Sequence, residues 1–152
     1  LDREKLELLF DILEGCKGVE QMDIHHPEGD VFVHSLQVLK WALRESSDQE
    51  LIVAAMMHDV GKIYDSKEHD KIAPDMLSRH LSEKTLWLIR NHMRFWYYIK
   101  GETRKLSKVK ELSENKWFAE LAQLARWDKL GRNPNMMIEY DREKLIEEIL
   151  EL

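Results

Sequence analysis

The 152-residue chain is predicted to fold as a single all-α domain, and three observations predict it. Apolar residues recur at helical spacing along nearly the whole length, and no stretch alternates convincingly with period two. Helix breakers are scarce, with 6 glycines and 3 prolines. No internal repeat, low-complexity tract or linker-like stretch divides the chain, and its length suits one domain of roughly 100–200 residues.

The elements follow in order. Residues 2–14 carry Leu6, Leu9, Phe10 and Leu13, and then Gly15 and Gly18 break the helix. Residues 31–45 carry Val31, Val38, Leu39, Ala42 and Leu43. Ser47, followed three residues later by Glu50, reads as a capping box that opens a third helix, which Gly61 ends. A short helix is predicted near 71–79 and a longer one near 82–97, capped by Ser82. Residues 114–130 form a strong amphipathic helix stopped by Gly131 and Pro134, and Asp141 caps a final helix, 141–152. Leu145, Ile146, Ile149, Leu150 and Leu152 in that last segment read as docking on the chain's own core. The alternative is a homodimer contact, so the oligomeric expectation is monomer or homodimer.

Composition narrows the function classes. The chain is 43% hydrophobic and 34% charged, which excludes a disordered chain of low hydrophobicity. The longest apolar run, Leu51 to Met57, is too short to span a bilayer, and no signal-peptide pattern opens the sequence. One cysteine, Cys16, forms no intrachain disulfide and fits a reducing, cytoplasmic compartment. The chain opens on Leu1 and so reads as trimmed or as a piece of a longer protein. With 23 basic against 29 acidic residues the formal net charge is −6, the opposite sign to most nucleic-acid-binding modules, so nucleic acid is a disfavoured partner. Lys100, Arg104, Lys105, Lys108 and Lys110 are diluted by Glu102 and Glu111 and read as a solvated loop and helix edge.

The chemistry is carried by polar residues that sit where helical geometry calls for apolar ones. Trp117, Leu121, Leu124 and Asp128 fall at i, i+4, i+7 and i+11 of one stripe, and an ionised carboxylate on a buried stripe is costly unless paired or metal-bound. His34 shares a face with Val31, Val38 and Trp41. His58 shares one with Leu51, Ala54 and Ala55, and Asp59 follows it directly. A lone histidine on an apolar face is more often a hydrogen-bonded core residue. Here three helices each deliver an imidazole or carboxylate inward, which is how a helical bundle builds a metal site. Two imidazoles and two carboxylates suit Mn, Fe, Ni, Co or Zn, with Mg also admitted.

His34, the His58-Asp59 doublet within "MMHDVGK" and Asp128 within "LARWDKLGR" resemble the H…HD…D signature of the HD-domain phosphohydrolase superfamily. "HHPEGDVFVHSLQVL" at 25–39, "HDVGK" at 58–62 and "ARWDKLGR" at 125–132 look like the HD domain attached to bacterial CCA-adding tRNA nucleotidyltransferases, so the motif region spans 25–132 of one HD domain. The resemblance implies a helical bundle of the HD type with one metal held by His34, His58, Asp59 and Asp128. In some relatives a second metal is bridged by the doublet aspartate and held by two further histidines, whose places His69 and His92 occupy. The 152 residues hold no nucleotidyltransferase segment, so the resemblance implies no CCA addition. The small-residue pair that often follows the first of those histidines is replaced by Ala73-Pro74.

Three other residues join the candidate site. Lys62, three residues after the doublet, is placed to contact a substrate phosphate and to serve in catalysis. Arg132, one helical turn after Asp128, can point a bidentate fork at a phosphate. Glu28, six residues before His34, can orient a ligand, reach the metal or contact substrate. His25, His26 and His80 read as surface or supporting residues, and Trp96, Tyr97 and Tyr98 as core or pocket wall. The expectation is metal-dependent hydrolysis of a nucleotide, a 2′,3′-cyclic phosphate or a small phosphoester, as phosphomonoesterase or phosphodiesterase, by a metal-activated water that Asp59 orients. Two other readings compete: a di-iron oxygenase, which requires His69 and His92 to bind metal, and a non-catalytic nucleotide-binding module.

Overall fold

Short polar side chains set the helix starts. Asp2, Asp30, Asp48, Ser82 and Asp141 stand in extended backbone and accept from the N–H three residues on, at 2.8 Å from Lys5, 2.9 Å from Val33, 3.3 Å from Leu51, 3.3 Å from Thr85 and 3.2 Å from Lys144. Each bond satisfies a helix N–H that has no intrahelical acceptor. The computed structural model describes residues 1–21 and 25–152. Its helices are α1 (Arg3–Glu14), α2 (Val31–Glu45), α3 (Gln49–Met57), α4 (His69–Leu77), α5 (Glu83–Ile99), α6 (Leu106–Ser113), α7 (Phe118–Leu130) and α8 (Arg142–Leu150), with one 3-10 turn at Val60–Ile63. The all-α expectation holds, and no strand occurs among the described residues.

The centre of the molecule is α3, whose run Leu51 to Met57 is buried on every side. A helix that is apolar all round can be stable only if other helices surround it, and α2, α5 and α7 do so. Their own apolar stripes, such as Val31, Val38, Leu39 and Ala42 on α2 or Leu121 and Leu124 on α7, face inward. Helix α4 packs on α5 and the 3-10 turn. Helices α1 and α8 form an outer pair against α2 and α3. Ile146 and Ile149 of α8 are fully buried, so the C-terminal apolar face docks on the chain's own core. No helix among the described residues is long and apolar enough to cross a membrane.

Several boundaries differ from expectation. Asp48, not Ser47, caps α3. Its carboxylate is the stronger acceptor, while Glu50 is engaged by the Ser82 hydroxyl at 2.5 Å and makes no reciprocal box. Helix α3 stops at Met57 rather than at Gly61: His58 still has helical backbone angles, φ −60° and ψ −26°, and Asp59 then leaves the helical path before the 3-10 turn. Helix α4 starts at His69, two residues early, and carries Pro74 inside it. Helix α5 runs on to Ile99. The helix predicted over 114–130 begins only at Phe118, and a separate helix, α6, occupies 106–113, where a solvated loop and helix edge were expected. Only Leu112 of α6 is buried, so its sequence carries too little apolar signal to stand out.

Candidate metal centre

Each histidine arrives with one ring nitrogen already committed. On α2, His34 Nδ1 donates to the carbonyl of Gly131 at 2.8 Å, and Nε2 stands 2.8 Å from Asp128 Oδ1. That carbonyl is close because α7 ends tight against α2: a Cβ on Gly131 would lie 2.6 Å from Val38 Cγ2. His58 Nδ1 donates to Ala55 O at 2.8 Å, which points Nε2 to 3.3 Å from Asp59 Oδ2 and 3.4 Å from Asp128 Oδ1. Asp59 leaves the helix with φ −106° and ψ 3°, swinging its carboxylate inward. These four side chains are buried, and one ligand atom from each falls within 4.8 Å of all the others.

The second oxygen of Asp59 faces the other way. Oδ1 is 3.2 Å from His69 Nε2 and 3.7 Å from His92 Nε2, and those two nitrogens are 3.0 Å apart. His69 Nδ1 donates to Ser66 O at 2.8 Å and His92 Nδ1 to Ile89 O at 2.5 Å. The start of α4 is drawn in by Gly61, where a Cβ would lie 2.3 Å from the His69 carbonyl oxygen, so only glycine admits this approach.

The donor set fits divalent metal ions. A ring nitrogen that faces a carbonyl must carry a proton, so each imidazole in its neutral, metal-binding form presents the Nε2 lone pair inward, the usual way a backbone carbonyl prepares a histidine ligand. His58 Nε2 is buried with no hydrogen-bond partner. His69 and His92 point lone pairs at each other at 3.0 Å, a repulsive arrangement unless a cation lies between them. Two nitrogens bound at about 2.1 Å to one ion at right angles would be about 3 Å apart. Burial opposes the charged form of His58, yet Asp59 and Asp128 outweigh it and push its pKa up to about 10. Burial likewise works against the two carboxylates. His58 and Lys62 hold Asp59, and His34 and His58 hold Asp128, well below the usual carboxylate range. A buried pair of anions among imidazoles is where a cation compensates the desolvation cost.

A cleft of about 520 Å³ opens over Asp59, His69, His92 and Asp128. Lys62, Lys100, Lys129 and Arg132 line it with positive charge, and Trp96 and Tyr97 add an aromatic wall. Lys62 Nζ is 3.4 Å from Asp59 Oδ2 and donates to Gln21 Oε1 at 2.8 Å. Arg132 stays beside Asp128, donating to its carbonyl at 3.2 Å with Nη2 3.5 Å from Oδ1. Glu28 does not reach the cleft. Its side chain is 0% exposed, with Oε1 2.9 Å from His26 Nδ1 and 3.8 Å from His34 Nδ1, a place behind His34 that matches the ligand-orienting alternative and not the substrate contact. His26, expected as a surface or supporting residue, takes the supporting place: it is 9% exposed and packs edge-on against His34. Burial and the neighbouring His34 push its pKa down to about 3. Sequence reasoning also passed over the donation by the Trp96 indole to Asp128 Oδ2 at 3.3 Å. The signal available for it was that Trp96 follows His92 by one helical turn.

A family model described as HD domain matches residues 31–142. Among curated proteins the chain is similar to multifunctional CCA proteins. It is 46% identical over 57 residues to that of Thioalkalivibrio sulfidiphilus and to that of Methylococcus capsulatus, and 42% identical over 57 residues to that of Teredinibacter turnerae. Each alignment covers 38% of this chain and 13–14% of the relative, so the chain matches only a small part of those proteins.

Proposed function

The chain belongs to the HD-domain family, whose members are mostly metal-dependent phosphohydrolases, and from that premise we propose that it hydrolyses small, nucleotide-like phosphoesters with a divalent metal. The observation that carries this reading is Asp59, which turns one oxygen to His34 and His58 and the other to His69 and His92. In this reading His34, His58, Asp59 and Asp128 hold one ion, and Asp59, His69 and His92 a second. A divalent ion there supplies Lewis acidity towards a phosphoryl oxygen and lowers the pKa of water towards neutrality.

The chain's own residues do the rest. Asp59 accepts the hydrogen bond that orients the attacking water. Lys62 and Arg132 flank the cleft and donate to the phosphoryl oxygens where charge develops. The Trp96 indole and the Arg132 guanidinium hold Asp128 in place. Glu28, behind the ring of His34, supports that imidazole. Likeness to part of the multifunctional CCA proteins supports a substrate of the nucleotide class.

Elemental analysis tests the reading on protein purified without chelator and then reconstituted with Mn or Fe. The expected result is one or two equivalents of metal per chain, together with phosphoester hydrolysis. Protein that takes up no metal and turns over no phosphoester would overturn it. The His69–His92 pair also favours a second reading, a di-iron centre that activates oxygen. Hydrolysis supported by redox-inert Zn or Mg separates the two, since the oxygenase requires iron and consumes oxygen.

A further inference from the structure

A second cavity, of about 300 Å³, lies between α5, α6 and the segment joining them, walled by Trp87, Asn91, Tyr97, Thr103 and Leu112. It shares Tyr97 with the metal cleft. Helical phase explains the sharing: on α5, His92 and Trp96 turn to the cleft, Trp87, Asn91 and Arg94 turn to the second cavity, and Tyr97 stands between the two faces. Tyr97 is 48% exposed, so its ring borders both hollows and is open to solvent.

The two hollows differ in charge. The cleft carries Lys62, Lys100, Lys129 and Arg132, which suits phosphate. In the second cavity Arg94 and Lys108 are balanced by Glu102 and Glu111, so it selects no net charge. Its polar groups are held in fixed directions. The Asn91 amide is 4% exposed, donates to Trp87 O at 2.9 Å and accepts from Arg94 at 3.2 Å. One amide hydrogen and one lone pair remain for a ligand. Trp87 is braced by Trp117, ring centroids 5.8 Å apart at 62°, so its indole needs little further ordering on binding. The volume sits at the low end for ligand pockets, roughly 300–1,000 Å³, and suits one ring system.

We propose that the cavity between α5 and α6 is a binding subsite for a planar ring with hydrogen-bonding edges, of the nucleobase class. That ring is carried by the same substrate whose phosphoester occupies the metal cleft. The inference rests on the phosphohydrolase reading above. Trp87 and Tyr97 supply aromatic surface for stacking, and Asn91 and Thr103 supply the edge contacts.

The test has two arms. In the first, adenosine, guanosine, cytidine and uridine, which carry no phosphate, are titrated into the metal-free protein and followed by NMR. The expected result is shifts at the Trp87 indole N–H and the Asn91 side-chain amide. Shifts at neither position with any nucleoside would overturn the proposal, whether or not the protein proves to be a hydrolase. In the second arm Thr103→Trp, which fills the cavity from a partly exposed loop position, is compared with the parent protein. The readout is the ratio of kcat/KM for a nucleoside phosphoester to that for its nitrophenyl counterpart: adenosine monophosphate against 4-nitrophenyl phosphate, or the dinucleotide ApA against bis(4-nitrophenyl) phosphate. A fall of about tenfold or more supports the subsite, and the ratio cancels any general loss of folded enzyme. Nucleoside binding at Trp87 with an unchanged ratio would overturn its place in the substrate. Absence of any phosphoester turnover would instead count against the hydrolase reading, with the first arm still deciding whether the ring site exists.

Discussion

Asp128 stands within 3.5 Å of His34, His58 and Arg132, so its loss removes one of the four candidate ligand atoms and the partner that these side chains face. Asp128→Ala is expected to lower phosphoester turnover by more than the roughly 10–100-fold typical of residues that only support a ligand, and to lower bound metal, while far-ultraviolet circular dichroism stays helical. An unchanged rate would sink the assignment. The same residues give the metal-free protein a pH profile. His58 has its pKa raised from 6.5 to about 10, so the stability it contributes is complete below about 6.5 and is lost as pH rises towards 10. His26 runs the other way. With its pKa lowered from 6.5 to about 3, it makes folding less favourable as pH falls through that range. The depressed Asp59 and Asp128 add to the acid side, since their contribution disappears below the ordinary carboxylate range. Thermal midpoints of metal-free protein should therefore peak near pH 6.5 and decline on both sides, and bound metal should remove the alkaline decline by taking the place of the His58 proton. A midpoint that stays level from pH 7 to pH 9 without metal would contradict this.

At the scale of elements, two glycines fix how closely helices meet around the site. Gly61→Ala would drive a Cβ to 2.3 Å from the His69 carbonyl oxygen and 2.9 Å from its Cα. Both are backbone atoms that cannot swing aside, so α4 must retreat. A loss of about 1–3 kcal/mol is expected, measured by urea denaturation, together with a displaced His69 ring resonance. The sequence made α2, α5 and α7 legible because each has an apolar stripe, and α3 because its run Leu51 to Met57 is apolar all round; it exposed His34, His58 and Asp128 because each follows or interrupts such apolar positions. Glu28 and His26 lie in the segment before α2, where no periodicity tells inside from outside, so their burial could not be read. Helix α6 was hidden for the opposite reason: Lys108, Lys110 and Glu111 dominate a helix that buries only Leu112. The cap of α3 falls on Asp48, one residue after the predicted Ser47, because Asp caps as well as Ser and Glu50, engaged by Ser82, closes no capping box.

Across the whole molecule, the outer pair α1 and α8 is clasped by Arg142, which reaches Glu7 at 2.7 Å, Asp11 at 2.8 Å and Glu14 at 3.1 Å, while Tyr140 donates to Glu14 at 2.5 Å. The acidic partners are half exposed, so Arg142→Ala should cost only about 1–2 kcal/mol, seen as a lower urea midpoint with metal content unchanged. A midpoint left where it was would mean that the apolar contacts of Ile146 and Ile149 alone hold α8. The imidazoles themselves are anchored in two unlike ways. His58, His69 and His92 each lean on a carbonyl three residues earlier in their own segment, so their aim is self-registering and survives small drifts of one helix against another. His34 alone borrows its orientation, from a carbonyl 97 residues away. The junction of α2 with the end of α7 is thus the gauge of the centre: a slackening of the bundle would rotate His34 out of alignment while the other three rings still pointed true.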